Sequence, residues 1–213
     1  MIHFMTANIG SIDTTGCFPV NGRKGGSFQT RSGVKFYPLD PRPEEILIED
    51  IAHALAHECR WNNQVQFYSV AQHSVLVSRL CPLGDALWGL LHDASEAYIG
   101  DVPKPLKVLP EWAFYREIER NLMAMICEKF GLPAVEPASV QKIDAMLRET
   151  ERWSLLEKQP YWGDEILDPA NRFAFTVFGW SPRKARSEFL QRFAELTGAS
   201  SNTTAPKESL SGA

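Results

Sequence analysis

The residues with the most chemical content lie in the stretch 88–107, WGLLHDASEAYIGDVPKPLK. His92 and Asp93 stand side by side at the end of an apolar run, and two more carboxylates, Glu96 and Asp101, follow within nine residues. Charge placed beside Leu90 and Leu91 is costly to bury unless it is paired or bound to a metal. Two further ionisable groups fall on helical stripes that should face inward: His73 in line with Val70 and Val77, and Asp144 in line with Val140 and Leu147. His73, His92, Asp93 and Asp144 make two imidazoles and two carboxylates, a donor set that suits a borderline divalent ion such as Mn, Co, Zn or Fe(II). Taken singly, each has an ordinary alternative as a hydrogen-bonded core histidine or a helix-packing aspartate. Together, without a metal, they would leave several buried charges unexplained.

The elements that must position these groups are helices. Apolar spacing predicts helices over residues 48–59, 70–81 and 87–98, the second stopped by Pro82 and the third closed by Gly100. Further helices are expected over 111–130, closed by Gly131, and over 138–157, a helix that contains Val140, Ile143, Asp144, Leu147 and Trp153. A last helix should run from Ser181-Pro182, a favoured cap and first position, to about residue 197. Four-residue spacing would put Glu96 on the same side as His92 and Asp93. No strand series is evident, so the class is all-α, with the metal set in a helical bundle as is common for such sites. Residues 1–31 read as a flexible extension, 32–198 as the folded domain, and 199–213 as a disordered tail. The aromatic, turn-rich segment 160–180 is expected to cover the bundle.

Composition narrows the rest. A net charge of -4 argues against a nucleic-acid polymer as partner. Cys17, Cys59, Cys81 and Cys127 are scattered and read as reduced thiols. No signal peptide pattern or membrane-length apolar run is seen, so a soluble, cytoplasmic protein is expected.

The order His73, His92-Asp93, Asp144 resembles the H…HD…D signature of the HD-domain metal-dependent phosphohydrolases. HDASEAYIGDVPKPLK is similar to the matching stretch of their 5'-deoxynucleotidase branch and its phage and prophage relatives, which include dATP triphosphohydrolases. FYSVAQHSVLVS and KIDAMLRETE resemble that branch's first-ligand and last-ligand helices, and the likeness covers residues 32–157. Gln72 is a departure, since relatives often carry Glu there. The resemblance implies an HD-domain bundle holding one divalent transition metal per subunit (Co, Mn or Zn) on His73, His92, Asp93 and Asp144. It also implies Glu96 and Asp101 as the catalytic, water-handling carboxylates, and a homo-oligomer. A second ion such as Mg could accompany the substrate phosphates.

Arg60-Trp61 is the second informative pair. Arg offers a planar fork for phosphate oxygens and Trp a flat apolar face for a sugar or base. In the resembling nucleotidases an Arg-aromatic pair contacts phosphate and deoxyribose. Lys107 matches a phosphate-contacting lysine of related triphosphate hydrolases; Lys104 and Arg148 are weaker candidates. His53 and His57 have a zinc-compatible i, i+4 spacing, but H-E-x-x-H is absent and they read as packing or surface residues. The aromatic and methionine stripe of 112–130 reads as core or subunit contact.

The expected activity is hydrolysis of the 5' phosphoester of a deoxynucleotide by metal-activated water attacking the alpha phosphorus, foremost as a 5'-deoxynucleotidase. The first alternative is a dATP-preferring triphosphohydrolase of the phage type, releasing triphosphate. A cyclic-dinucleotide phosphodiesterase is disfavoured because no G-Y-P follows the His-Asp pair. A non-catalytic nucleotide-sensing module is disfavoured because every ligand and both auxiliary carboxylates are present.

Overall fold

A computed structural model describes residues 22–156 and 169–198, and these are mostly helical. The expected extensions at residues 1–21 and 199–213 lie outside the described residues. Residues 22–31 differ from expectation. They form part of an ordered hairpin, with β1 (Phe28–Gln29) pairing antiparallel with β2 (Lys35–Phe36) in the register Phe28 to Phe36. The hairpin is held by long-range bonds. Arg23 donates to Asp40 and, at 2.6 Å, to Glu45, and its guanidinium lies 4.3 Å from the Tyr37 ring centre. Ser32 N–H donates to Asp50 Oδ1 at 2.8 Å, and Phe36 stacks on Tyr98 with centroids 4.1 Å apart.

The helices are α1 (Ile48–His57), α2 (Val70–Leu80), α3 (Ala86–Leu91), α4 (Glu96–Ile99), α5 (Lys104–Lys107), α6 (Ala113–Phe130), α7 (Ala138–Leu155) and α8 (Pro182–Thr197). Their ends follow local chemistry. Ser69 and Ser181 accept the Gln72 and Lys184 N–H groups at the starts of α2 and α8. Gly131 closes α6 with φ 67°.

α2 is the central helix, packed against α1, α3, α7 and α8. Val70, Ala71, Gln72, His73, Ser74, Val75, Val77 and Ser78 are all buried. Such a helix must satisfy its polar groups internally. Ser74 and Ser78 do so on the C=O groups of Val70 and Ala86. α3 lies close because Gly89 has no Cβ; one there would sit 3.2 Å from Ser78 Cα. One apolar cluster joins Ile51, Leu55, Val75, Leu91, Ile126 and Phe189; a second joins Tyr68, Val77, Trp88, Val140 and Leu147.

The helix expected over 87–98 is broken at the His-Asp pair. α3 ends at Leu91, and turns carry the chain across 92–95 into α4. Ala94 N–H donates to Leu91 C=O at 2.9 Å, and Glu96 N–H to Asp93 C=O at 3.0 Å. These are i to i−3 bonds, the tighter 3₁₀ pitch, in which residues three apart eclipse. Glu96 is therefore aligned with Asp93 rather than with both members of the pair. Among the described residues no helix is long and apolar enough to cross a membrane.

Candidate metal centre

His73 reaches the centre from α2, His92 and Asp93 from the turn after α3, and Asp144 from α7. The His73 and His92 Nε2 atoms are 3.3 Å apart. Asp93 Oδ2 lies 3.2 Å from His92 Nε2 and 3.8 Å from His73 Nε2. These three residues form a tight group of donor atoms. Asp144 joins from the His73 side, with Oδ1 3.2 Å from His73 Nε2, while its other oxygen faces Arg148 Nη1 at 3.5 Å.

The second ring nitrogens explain how the donors are aimed. His73 Nδ1 donates to Glu151 Oε1 at 2.5 Å, and His92 Nδ1 donates to Gly89 C=O at 2.9 Å. With Nδ1 carrying the proton, each Nε2 lone pair points at the other donors, the arrangement by which metal-binding histidines are oriented. Two imidazole nitrogens with converging lone pairs have no direct bond to make. Their separation matches the edge of a polyhedron built on metal–nitrogen bonds of about 2.0–2.1 Å, which is ~3.3 Å for a tetrahedron. The residues present fit a divalent ion.

Without an ion the site binds protons. Burial opposes the imidazolium of His92, but Asp93 and Asp144 outweigh it and hold its pKa up at about 9. Burial likewise opposes ionisation of Asp93 and Asp144, yet the two imidazoles, with Arg60 beside Asp93, pull both carboxyls below their usual range. A divalent cation would replace the proton as counter-charge.

Glu151, on α7, is a site residue that the apolar pattern did not reveal. It is fully buried and accepts Tyr68 O–H at 2.9 Å, His73 Nδ1–H and, at 3.2 Å, Arg60 Nε–H. Burial pushes its pKa up, but Arg60 and His73 prevail and bring it to about 2. The clue lay seven residues after Asp144, on the stripe of Leu147. Trp153, two residues on and off that stripe, is 43% exposed, with Arg172 over its ring.

Arg60 enters the site, donating from Nη1 to Asp93 at 3.3 Å as well as to Glu151. Trp61 follows in a turn whose residues Trp61, Asn62 and Asn63 all have positive φ, at 59°, 49° and 60°. Such a run in non-glycine residues is strained and persists only where its surroundings enforce it. The Trp61 indole Nε1 is buried and has no hydrogen-bond partner among the described residues.

Glu96 is 7% exposed, and its Oε2 is buried without a partner among the described residues. Burial, then Asp93 and Asp101, raise its pKa well above the usual carboxyl value. Lys107 Nζ is 3.7 Å from Glu96 Oε1 and 2.6 Å from Glu119 Oε1, so this lysine already has a carboxylate partner on α6. Asp101 is tethered through its N–H, which donates to Glu58 Oε1 at 2.5 Å. Glu58 is the second residue missed from sequence, and its own pKa is raised by burial and by Asp101 and Asp93. Lys104 stays at the exposed start of α5, and His53 and His57 lie on α1 with no described contact to the centre.

A protein of Escherichia coli strain K12, the uncharacterized protein YfdR, is 40% identical over 174 residues, spanning 79% of this chain and 94% of YfdR. An uncharacterized protein of Rhodobacter capsulatus is 43% identical over 121 residues, spanning 52% of this chain and 61% of that protein. No protein-family model matches the chain.

Proposed function

The chain belongs to the same family as Escherichia coli YfdR, and within that family we propose that it acts as a metal-dependent phosphohydrolase of the HD type. It cleaves the 5' phosphoester of deoxynucleotides, foremost as a 5'-deoxynucleotidase. The observation that carries this reading is the convergence of two Nε2 atoms, 3.3 Å apart, with carboxylate oxygens of Asp93 and Asp144 around them.

A divalent ion held by His73, His92, Asp93 and Asp144 supplies Lewis acidity toward water and a phosphoryl oxygen. The protein's own groups do the rest. Glu96, kept able to hold a proton by its burial beside Asp93 and Asp101, exchanges it with the attacking water or the leaving 5' oxygen. Asp101, fixed through Glu58, is the second proton-handling carboxylate. Arg60 offers guanidinium charge at the rim of the cluster, and Trp61 an apolar face for the sugar or base.

Charge balance supports a monophosphate over a triphosphate. Arg60 is shared by Asp93 and Glu151, Lys107 by Glu119 and Glu96, and Arg148 faces Asp144. These three cations are thus already matched by carboxylate, and a long anionic tail finds little surplus positive charge on them. Product analysis with dNMP and dNTP panels across Mn, Co, Zn and Mg tests the reading. Orthophosphate from dNMP is expected. Free triphosphate from dNTP, with dNMP untouched, would replace the nucleotidase by a triphosphohydrolase, and no hydrolysis under any metal would remove the enzyme reading.

A further inference from the structure

The segment 173–180 runs across two helices that carry metal-centre residues. Four hydrogen bonds attach it. Phe173 N–H donates to Thr150 Oγ1 at 2.9 Å, and Val177 N–H to Ser154 Oγ at 3.1 Å, both on α7. On α2, the Gln72 amide uses both ends: Nε2 donates to Phe178 C=O and Oε1 accepts Trp180 N–H, each at 2.7 Å. Between them, Gly179 passes so close to the backbone that a Cβ there would lie 2.0 Å from Phe67 C=O.

Three of the four attachment points, all but Ser154, share one property. Thr150 immediately precedes Glu151, Gln72 precedes His73, and Phe67 precedes Tyr68. Tyr68, Glu151 and His73 are the hydrogen-bonded set that fixes the His73 tautomer. Three contacts of one segment thus fall beside all three members of that set, which come from two helices and the loop before α2. α2 and α7 also supply His73 and Asp144, whose donor atoms must stay near 3.2 Å.

We propose that segment 173–180 is a strap that positions the Tyr68–Glu151–His73 set, with Gln72 as its anchor and metal affinity as the property it sets. Gln72 is a positioning residue: its side chain is turned to the strap, and it acts on the centre by holding α2 and α7 in register. An amide is required because it must donate to one backbone group and accept from another. A carboxylate could accept from Trp180 N–H but would face Phe178 C=O without a proton to give.

The inference rests on the reading of the site as a metal centre. Its test is direct Co²⁺ titration of the full-length protein, at a temperature where circular dichroism shows each variant folded. Gln72→Glu and Thr150→Val should each weaken Co²⁺ binding about tenfold, the usual scale for losing support behind a ligand. Thr150→Ser keeps the acceptor and should restore the wild-type affinity. Ile126→Val, in the core of α6, serves as a destabilised control and should leave affinity unchanged. Lower melting temperatures with unchanged Co²⁺ affinity in Gln72→Glu and Thr150→Val would reduce the strap to simple fold support and overturn the proposal. Wild-type protein that binds no Co²⁺, Mn²⁺ or Zn²⁺ would remove the metal reading and this inference together.

Discussion

The molecule carries two histidine pairs, and they differ in everything but residue type. His53 and His57 sit four apart on α1, with ring centroids 4.2 Å apart. His57 is exposed, and its Nδ1 donates to its own helix at His53 C=O, 2.8 Å away. Burial, then His57, Arg31 and Arg186, lower the pKa of His53. His73 and His92 come from separate elements, are nearly or fully buried, and have carboxylates on the Nε2 side. Burial alone would lower their pKa values too, yet both are raised because acids face them. Spacing along a helix makes a pair of imidazoles; the groups opposite decide whether the pair attracts protons and cations or repels them.

The largest expected effect breaks that contrast outright. His92→Ala or Asp93→Asn should abolish tight metal binding and lower phosphate release by at least about 10³-fold, read by metal analysis and a phosphate assay. Glu96→Ala should keep the metal and lower kcat by roughly 10²–10⁴-fold, the usual span for a proton-transfer group. Glu151→Gln should weaken metal binding by about 10–100-fold while the helices stay intact by circular dichroism, since it withdraws the charge behind His73.

pH sharpens the comparison with a definite sign. The His92 pKa is raised from 6.5 to about 9, so its contribution to the stability of metal-free protein is fully present below pH 6.5 and lost as pH rises through 9. Melting temperatures of chelated protein should fall across that window. Metal must displace the same proton, so apparent affinity in titrations should rise about tenfold per pH unit up to about pH 9 and then level off. The smallest effect is the control: His53→Ala with His57→Ala should change stability by no more than about 0.5–1 kcal/mol in denaturant melts and leave phosphate release unchanged.

Much of this was legible in the sequence because strong local signals mark it. The Ser181 cap, Pro82, Gly100 and Gly131 punctuate the chain, and apolar stripes on the helices between them carry His73 and Asp144 inward. The unread parts depend on distant partners or on pitch. Glu151 lies on the stripe of Leu147, but a lone carboxylate there carries no ligand signal of its own, and only the fold brings Arg60 and Tyr68 to neutralise it. Glu58 follows α1, and its role depends on an N–H 43 positions away. The turn at 92–95 has helical apolar spacing, and nothing in residue type separates a 3₁₀ stretch from an α-helix there. The hairpin at 28–36 has strands of two residues each, too short for an alternation signal, and is held by Arg23 across to Asp40 and Glu45.

The most direct test is orthophosphate release from a deoxynucleoside 5'-monophosphate by cobalt-loaded protein, with wild type and Glu96→Ala side by side. The account predicts steady release by the wild type and a loss of at least about 10²-fold in the variant at equal metal content. Release that is unchanged in Glu96→Ala, or absent from the wild type with every divalent metal tried, would contradict it.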